Sequence, residues 1–197
     1  SDSVSHPHSL TGPVTNTHPT FISDYHTRTT RPTDSQRDIP AGLRRSPDGG
    51  QSCQKMKITP ALAEWGGLTE EENGIGDPSV LVDKQTNTIW VAGIWAHGHK
   101  NRRNWTESKP GLDPSETSQL MLVNSTDDGK TWNDPVNITA QVKKEEWPLL
   151  LQGPGKGITL SDGTLVFPAQ YKDHDHIPHS TIIWSKDHGI TWNIGTG

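Results

Sequence analysis

The sequence has a single cysteine, Cys53, among 197 residues, which excludes an internal disulfide framework. It has no apolar run of about 18 residues, so no transmembrane helix is expected. Positive charge is scarce. Eighteen Lys and Arg stand against 23 Asp and Glu, for a net charge of −5, which gives nucleic-acid binding no electrostatic support. Apolar residues make up only 29%, low for a globular chain. Tyr and Phe are rare, at two each, but there are eight Trp. Each Trp can bury a large area, and together they partly offset the shortfall. Ser1 is not an initiating Met, and no signal-peptide pattern follows it. The start reads as processed or truncated, which says little about export.

What the sequence does have is a repeat. Ser125-Thr126-Asp127-Asp128-Gly129-Lys130-Thr131-Trp132 recurs as Ser185-Lys186-Asp187-His188-Gly189-Ile190-Thr191-Trp192. An imperfect copy, Ser46-Pro47-Asp48-Gly49-Gly50-Gln51-Ser52-Cys53, lies earlier. The Asp-x-Gly step signals a turn: Gly supplies a positive φ, and Asp folds its carboxylate onto nearby backbone N–H groups. Ser at the first position can do the same. Thr-Trp then favours an extended segment. Each copy is expected to be a strand, a hairpin turn and a strand, with Trp packed beneath the turn. The alternative is a calcium loop, which needs about six or more oxygen ligands; the copies carry too few carboxylates. From Asp48 to Asp127 is 79 residues and from Asp127 to Asp187 is 60. Both exceed the roughly 40–50 residues of a propeller blade. Long loops are therefore inserted between units, and such loops commonly carry function.

Along the chain, residues 1–54 form one compositional region, rich in Ser, Thr, Pro, His and Arg, which alone reads as loop or disorder. Residues 55–197 form the other, where strand-like runs alternate with turn signals. Strands are expected at Ser79–Val82, Thr88–Ile94, Leu120–Val123, Gly157–Thr159, Thr164–Ala169 and Thr181–Trp184. Hairpin turns are expected at Asp83–Asn87 and Ser161–Gly163. Lys143–Leu151 is the one expected helix. The fold class is an all-β meander.

Several motifs go further than the repeat. Asn73-Gly74-Ile75-Gly76-Asp77-Pro78-Ser79-Val80-Leu81-Val82-Asp83, Trp95-Ala96-His97-Gly98, Leu151-Gln152-Gly153-Pro154-Gly155-Lys156-Gly157 and Ser161-Asp162-Gly163-Thr164-Leu165-Val166-Phe167-Pro168 together resemble the bacterial exo-α-sialidases of the Bacteroides type. The repeated octapeptides are similar to the Asp boxes, or BNR repeats, of that family: Ser46, Asp48 and Gly50; Ser125, Asp127, Gly129 and Trp132; Ser185, Asp187, Gly189 and Trp192. The resemblance runs from about Lys55 to the end. It implies a six-bladed β-propeller that hydrolyses terminal sialic acid with retention, using a Tyr nucleophile. Such a propeller needs roughly twice this length, so the chain reads as the N-terminal half of a catalytic domain, about three blades. The resemblance also implies secreted or periplasmic localisation. The implied partners are sialylated glycans on glycoproteins, gangliosides and oligosaccharides; no cofactor and no metal is implied.

The family's chemistry uses an arginine cluster for the substrate carboxylate, an acid for the leaving oxygen, and a Tyr activated by a Glu. Aligned without gaps from the first box, Tyr25-His26-Thr27-Arg28 falls on the family's Tyr-Asp-x-Arg. Asp34, six residues after Arg28, matches the general acid, and Arg28 a substrate-binding neighbour. In the same register Ser9 replaces the first cluster Arg. The resemblance gives Asp77 a role in binding sugar hydroxyls near Asp34, and gives Trp95 and Trp105 a place lining the N-acetyl pocket. Gln152 is positioned to reach a ligand over glycine-bared backbone. The nucleophilic Tyr, its Glu and the remaining cluster Arg belong to the other half.

Other signals carry less. His97-Gly98-His99 and His174-Asp175-His176 with His179 lack zinc-site spacing. Ser185 and Asp187 belong to a box, not to a hydrolase triad. Three Asn-x-Ser/Thr sequons begin at Asn104, Asn124 and Asn137; the bacterial origin that the resemblance implies gives them no weight. The competing functions are an exo-α-sialidase, a sialoglycan-binding module that does not cleave, and a structural repeat protein with no sugar site.

Overall fold

A computed structural model describes residues 20–23, 42–46, 48, 51–52, 54–57, 73–97 and 104–195. Its strands fall into three sheets. In the first, β1 (Thr20–Ser23), β2 (Gly42–Ser46) and β3 (Gln54–Lys57) form an antiparallel meander. β2 and β3 pair across the compositional change at residue 54, with Gly42 opposite Lys57. Composition alone therefore misreads part of residues 1–54, because two of these strands lie within it.

The second sheet is built on the long hairpin of β4 (Asn73–Asp83) and β5 (Thr88–His97). After it come the single turn α1 (Asn104–Glu107), β6 (Gln119–Ser125) and β7 (Val136–Asn137), in the order β7-β6-β5-β4. The turn α2 (Thr139–Val142) leads to the third sheet. There β8 (Leu149–Gln152) and β10 (Ile158–Thr159) both pair with β11 (Leu165–Lys172), followed by β12 (Pro178–Ser185) and β13 (Asn193–Ile194). Between β8 and β10 lies β9 (Gly155–Lys156), which pairs in parallel with Ser79 and Val80 of β4.

The expected helix at Lys143–Leu151 is not formed. The helical turn ends at Val142, and Lys143 is already extended (φ −97°, ψ 134°). Pro148 cannot continue a helix. Leu149, Leu150 and Leu151 are all buried and pair antiparallel with Lys172, Tyr171 and Gln170. The run is a strand covered on both faces, and it lacks the period-two alternation that betrays a half-exposed one.

The core lies between the second and third sheets. Leu81, Trp90, Ala92, Leu120 and Leu122 from one meet Leu150, Leu165, Phe167 and Ile183 from the other, closed by Trp147 and Trp192. Side chains of opposite parity on the second sheet, including Ile75, Ile89, Val91, Trp95, Met121 and Val123, form a separate apolar layer. Among the described residues, no helix is long and apolar enough to cross a membrane.

The three octapeptides close in one way. Ser125 Oγ donates to Asp127 Oδ1 (2.8 Å) and accepts from Gly129 N (2.8 Å), while Asp127 accepts from Thr131 N (2.9 Å) and Thr131 Oγ1 (2.7 Å). The third copy repeats this with Ser185, Asp187, Gly189 and Thr191. In the first, Ser46 Oγ and Ser52 N and Oγ all donate to Asp48. Gly50 lies outside the described residues. Two successive left-handed residues make each later turn: Asp128 (φ 61°) and Gly129 (φ 77°), His188 (φ 57°) and Gly189 (φ 85°). The indoles anchor beneath, with Trp132 Nε1 donating to Gly129 O at 3.3 Å and Trp192 Nε1 to Gly189 O at 3.1 Å. Thr-Trp does not itself enter a strand; pairing resumes at Val136 and at Asn193.

A Cβ on Gly189 would lie 2.3 Å from the Trp90 ring, at a φ of +85°. Gly189→Ala should therefore lower stability by about 2–4 kcal/mol through left-handed strain and overpacking, measured by urea unfolding. The box carboxyls also link stability to acid. Hydrogen bonds led by the Ser52 and Thr191 hydroxyls hold Asp48 and Asp187 at about 2, below the ordinary 3.8, and those led by Thr131 depress Asp127 further. A carboxyl depressed on folding contributes stability that is complete above its unfolded value and lost as pH falls through the folded one. Thermal midpoints should thus hold steady down to about pH 4 and fall between there and about pH 2.

Candidate functional site

The register gives the molecule two distinct ends. Ser125 and Ser185, which open the boxes, lie at one end, with the β4–β5 turn at Asp83–Thr88. β4 and the 149–159 segment run parallel, so the same end of each sheet faces the same way. The other end carries the 98–118, 143–148 and 173–177 connections.

Asp77 stands on β4 between Gly76 and Pro78. The register slips there, a bulge between Gly76 and Ser79. A residue before proline is ordinarily extended, yet Asp77 has φ 52°. Backbone held in such a region costs on the order of 1–3 kcal/mol, and bulges characteristically re-aim a side chain. The Asp77 side chain is exposed.

The 149–159 segment breaks at the same level. Gly153 N donates to Pro168 O (2.7 Å) in the third sheet, whereas Gly157 N donates to Val80 O (2.8 Å) in the second. The chain thus leaves one sheet, touches the other and returns. Gly157 is required for the crossing: a Cβ there would lie 2.5 Å from Val166 O and 2.8 Å from Leu81 Cδ1. Gln152 opens the crossing. Its side chain is fully buried, and its Nε2 donates to the main-chain oxygen of Asp77. Among the described residues its buried Oε1 has no hydrogen-bond partner, and neither has Ser79 Oγ. Gln152 and Asp77 are therefore brought together through the Asp77 backbone.

Trp95 is fully buried, packed with Ile75, Ile89, Val91, Met121 and Val123. It pairs with Ile75, two residues before Asp77. Trp105 is different: it lies on α1 and keeps 41% of its surface exposed. Arg28 and Asp34 lie outside the described residues, as does the expected approach of Asp34 to Asp77. Sequence reasoning missed Lys172, whose ammonium sits 4.1 Å from the Trp105 ring centroid. No local pattern signals it, because the two residues are 67 apart in sequence.

Residues 22–197 match the BNR repeat-like domain. The chain belongs to that family. It is 49% identical to a sialidase of Bacteroides fragilis over 185 residues, covering 94% of this chain and 34% of that protein. The solved structure of a Hadza microbial sialidase, Hz136, aligns with a TM-score of 0.78 and 53% identity, over 82% of this chain and 32% of that one. A Trypanosoma rangeli sialidase bound to the inhibitor DANA shares the fold, at a TM-score of 0.66 and 20% identity, over 84% of this chain and 27% of that one. The chain thus spans about a third of the length of the sialidases it resembles. Its sheets are those of a partial sialidase β-propeller, and the octapeptides are its BNR repeats.

The Gln152 contact predicts a stability effect. Gln152→Ala removes a buried side chain and its hydrogen bond to the Asp77 carbonyl. The change should cost about 2–4 kcal/mol, read as a lowered urea midpoint at unchanged slope.

Proposed function

We propose that the chain forms part of an exo-α-sialidase, a retaining glycoside hydrolase that removes terminal sialic acid from glycoproteins, gangliosides and oligosaccharides. The observation that carries this reading is the 49% identity to a sialidase across 94% of the chain. Asp77 supports it. An exposed Asp on a strained bulge is a residue type that can accept hydrogen bonds from sugar hydroxyls. Arg28 would bind substrate beside Asp34 as the general acid, with the exposed Trp105 toward the N-acetyl group; Trp95, fully buried, has no surface to offer a ligand. Gln152, fully buried, serves the site only through its hydrogen bond to the Asp77 main chain. A secreted or periplasmic setting fits substrates on cell surfaces.

The second reading, a sialoglycan-binding module without hydrolysis, is favoured for this stretch alone by its tyrosines. There are only two. Tyr171 is locked in an aromatic stack, 3.8 Å from Trp147 and 4.9 Å from His179 by ring centroids. Tyr25 aligns to a strand ahead of Asp34 rather than to the family nucleophile, and Ser9 replaces the first cluster Arg. Each lost 1.36 kcal/mol of transition-state stabilisation is tenfold in rate, and these absences combine.

Purified chain should therefore give no turnover of a 4-methylumbelliferyl sialoside above background, while sialyllactose binding persists and weakens in Asp77→Asn. Turnover that disappears in Asp34→Ala would establish the enzyme for this stretch and refute its inactivity. Neither turnover nor binding would leave only the structural-repeat reading.

A further inference from the structure

The 104–118 connection is long, yet it is stapled at several points. Thr117 Oγ1 donates to Pro148 O (2.9 Å), and Gln119 Nε2 to Leu112 O (3.2 Å). Gly111 N donates to Glu145 O (2.7 Å), and buried Lys143 reaches both Gly111 O and Trp147 O. A connection held this way would be expected to tuck its indole inward. Trp105 nevertheless stays 41% exposed.

Beneath it, Lys172 behaves unusually for a lysine at a strand end. Lysines are almost never buried unless paired, and Lys172 is only 8% exposed. Its ammonium donates to Trp105 O at 2.5 Å and sits 4.1 Å from the centroid of the same residue's ring. Among the described residues, both contacts of this desolvated cation go to Trp105. A hydrogen bond to the carbonyl fixes the main chain, and the cation–π contact fixes the ring plane. Two contacts of different geometry on one residue define an orientation, where either alone would leave the ring a free rotation.

We propose that Lys172 is a positioning residue that seats Trp105, so that the outer surface of the indole is presented as a preset stacking face for a sugar ring of the sialoglycan. The proposal rests on the sialoglycan reading above and adds to it the residue that fixes this aromatic. Presetting matters because an indole that must be ordered at each binding event subtracts that ordering from affinity. A sugar offers apolar C–H faces and hydroxyl edges, and a flat ring of fixed tilt selects between them.

The test uses the full chain labelled with 5-fluorotryptophan and fluorine NMR. Trp105→Phe identifies the Trp105 line among the eight. In the unsubstituted chain that line should be as broad as those of the buried indoles and displaced from the free amino acid. Its solvent isotope shift should be intermediate. Lys172→Met keeps the stem and removes the cation. It should narrow the Trp105 line and move it toward the free position, leaving the Trp90 and Trp192 lines in place, and Lys172→Arg should restore it. Sialyllactose added to the unsubstituted chain should shift the same line, and Lys172→Met should weaken that binding about five- to tenfold. A sharp Trp105 line in the unsubstituted chain, or one unmoved by Lys172→Met, would overturn the seat whatever the titration shows. A seat confirmed in both respects with no response to sialyllactose would instead overturn the sialoglycan reading and the stacking role with it.

Discussion

The close approach of two sheets at Gly157 is the constraint on which the rest depends. Only a residue without a Cβ lets the 149–159 segment pass within reach of Val166 O and Leu81. That passage permits the parallel pairing with Ser79 and Val80 and sets the level at which Gln152 meets Asp77. It also brings the inward faces of the two sheets together, where Trp90, Phe167 and Trp192 interlock with ring centroids 5.6–5.9 Å apart. A bulkier residue at 157 would push the sheets apart, loosening the core and the Asp77 bulge in one step.

The box turns are gathered at one end, away from the residues proposed to meet a ligand. At one end the boxes convert six or more local hydrogen bonds into fixed turns and reach into neighbouring elements. His188 Nδ1 lies 2.7 Å from the fully buried Asp83 carboxylate in the β4–β5 turn, and Arg45 Nε donates to Asp128 O at 2.7 Å. These contacts tie each turn to a strand of another sheet. They allow the opposite end to carry what a turn-stabilised fold would not otherwise tolerate: a left-handed residue before a proline, a long insertion and an exposed indole. Strain at one place persists when the surroundings over-determine it, and the boxes supply much of that determination.

The parts legible in the sequence were those with local causes. Short strand-like runs bounded by turn signals marked β4, β5, β6, β11 and β12, and Asp-x-Gly marked both later box turns, because the Ser, Asp and Thr that close each turn lie within seven positions. The illegible parts were set by distant partners. Leu149–Leu151 looks helical in isolation since burial on both faces erases alternation; only pairing with Gln170–Lys172 reveals the strand. Asp77 was readable as a site candidate from its motif, but not its φ of 52° or the hold on its carbonyl by Gln152, 75 residues on. Trp95 and Trp105 look alike as sequence. One ends in the apolar layer because its parity on β5 matches Ile89 and Val91, and the other lies on an insertion whose seat, Lys172, no local pattern announces.

Scarcity of apolar residues sharpens the reading of that last difference. A chain with 29% apolar residues has little reserve, and burying an indole contributes more than burying any other side chain. Trp90, Trp95, Trp147 and Trp192 are all at most 7% exposed. The same economy should have drawn Trp105 inward, since α1 lies against a sheet end that already holds Lys172. Instead a lysine is desolvated beneath it, an arrangement with a cost on both partners: a cation removed from water and an indole left in it. The hydrogen bond and cation–π contact to Trp105 offset part of the first cost on folding; among the described residues nothing offsets the second. A ligand that stacks on the exposed face would cover the indole and close the site over the cation, which is where the compensating free energy can come from.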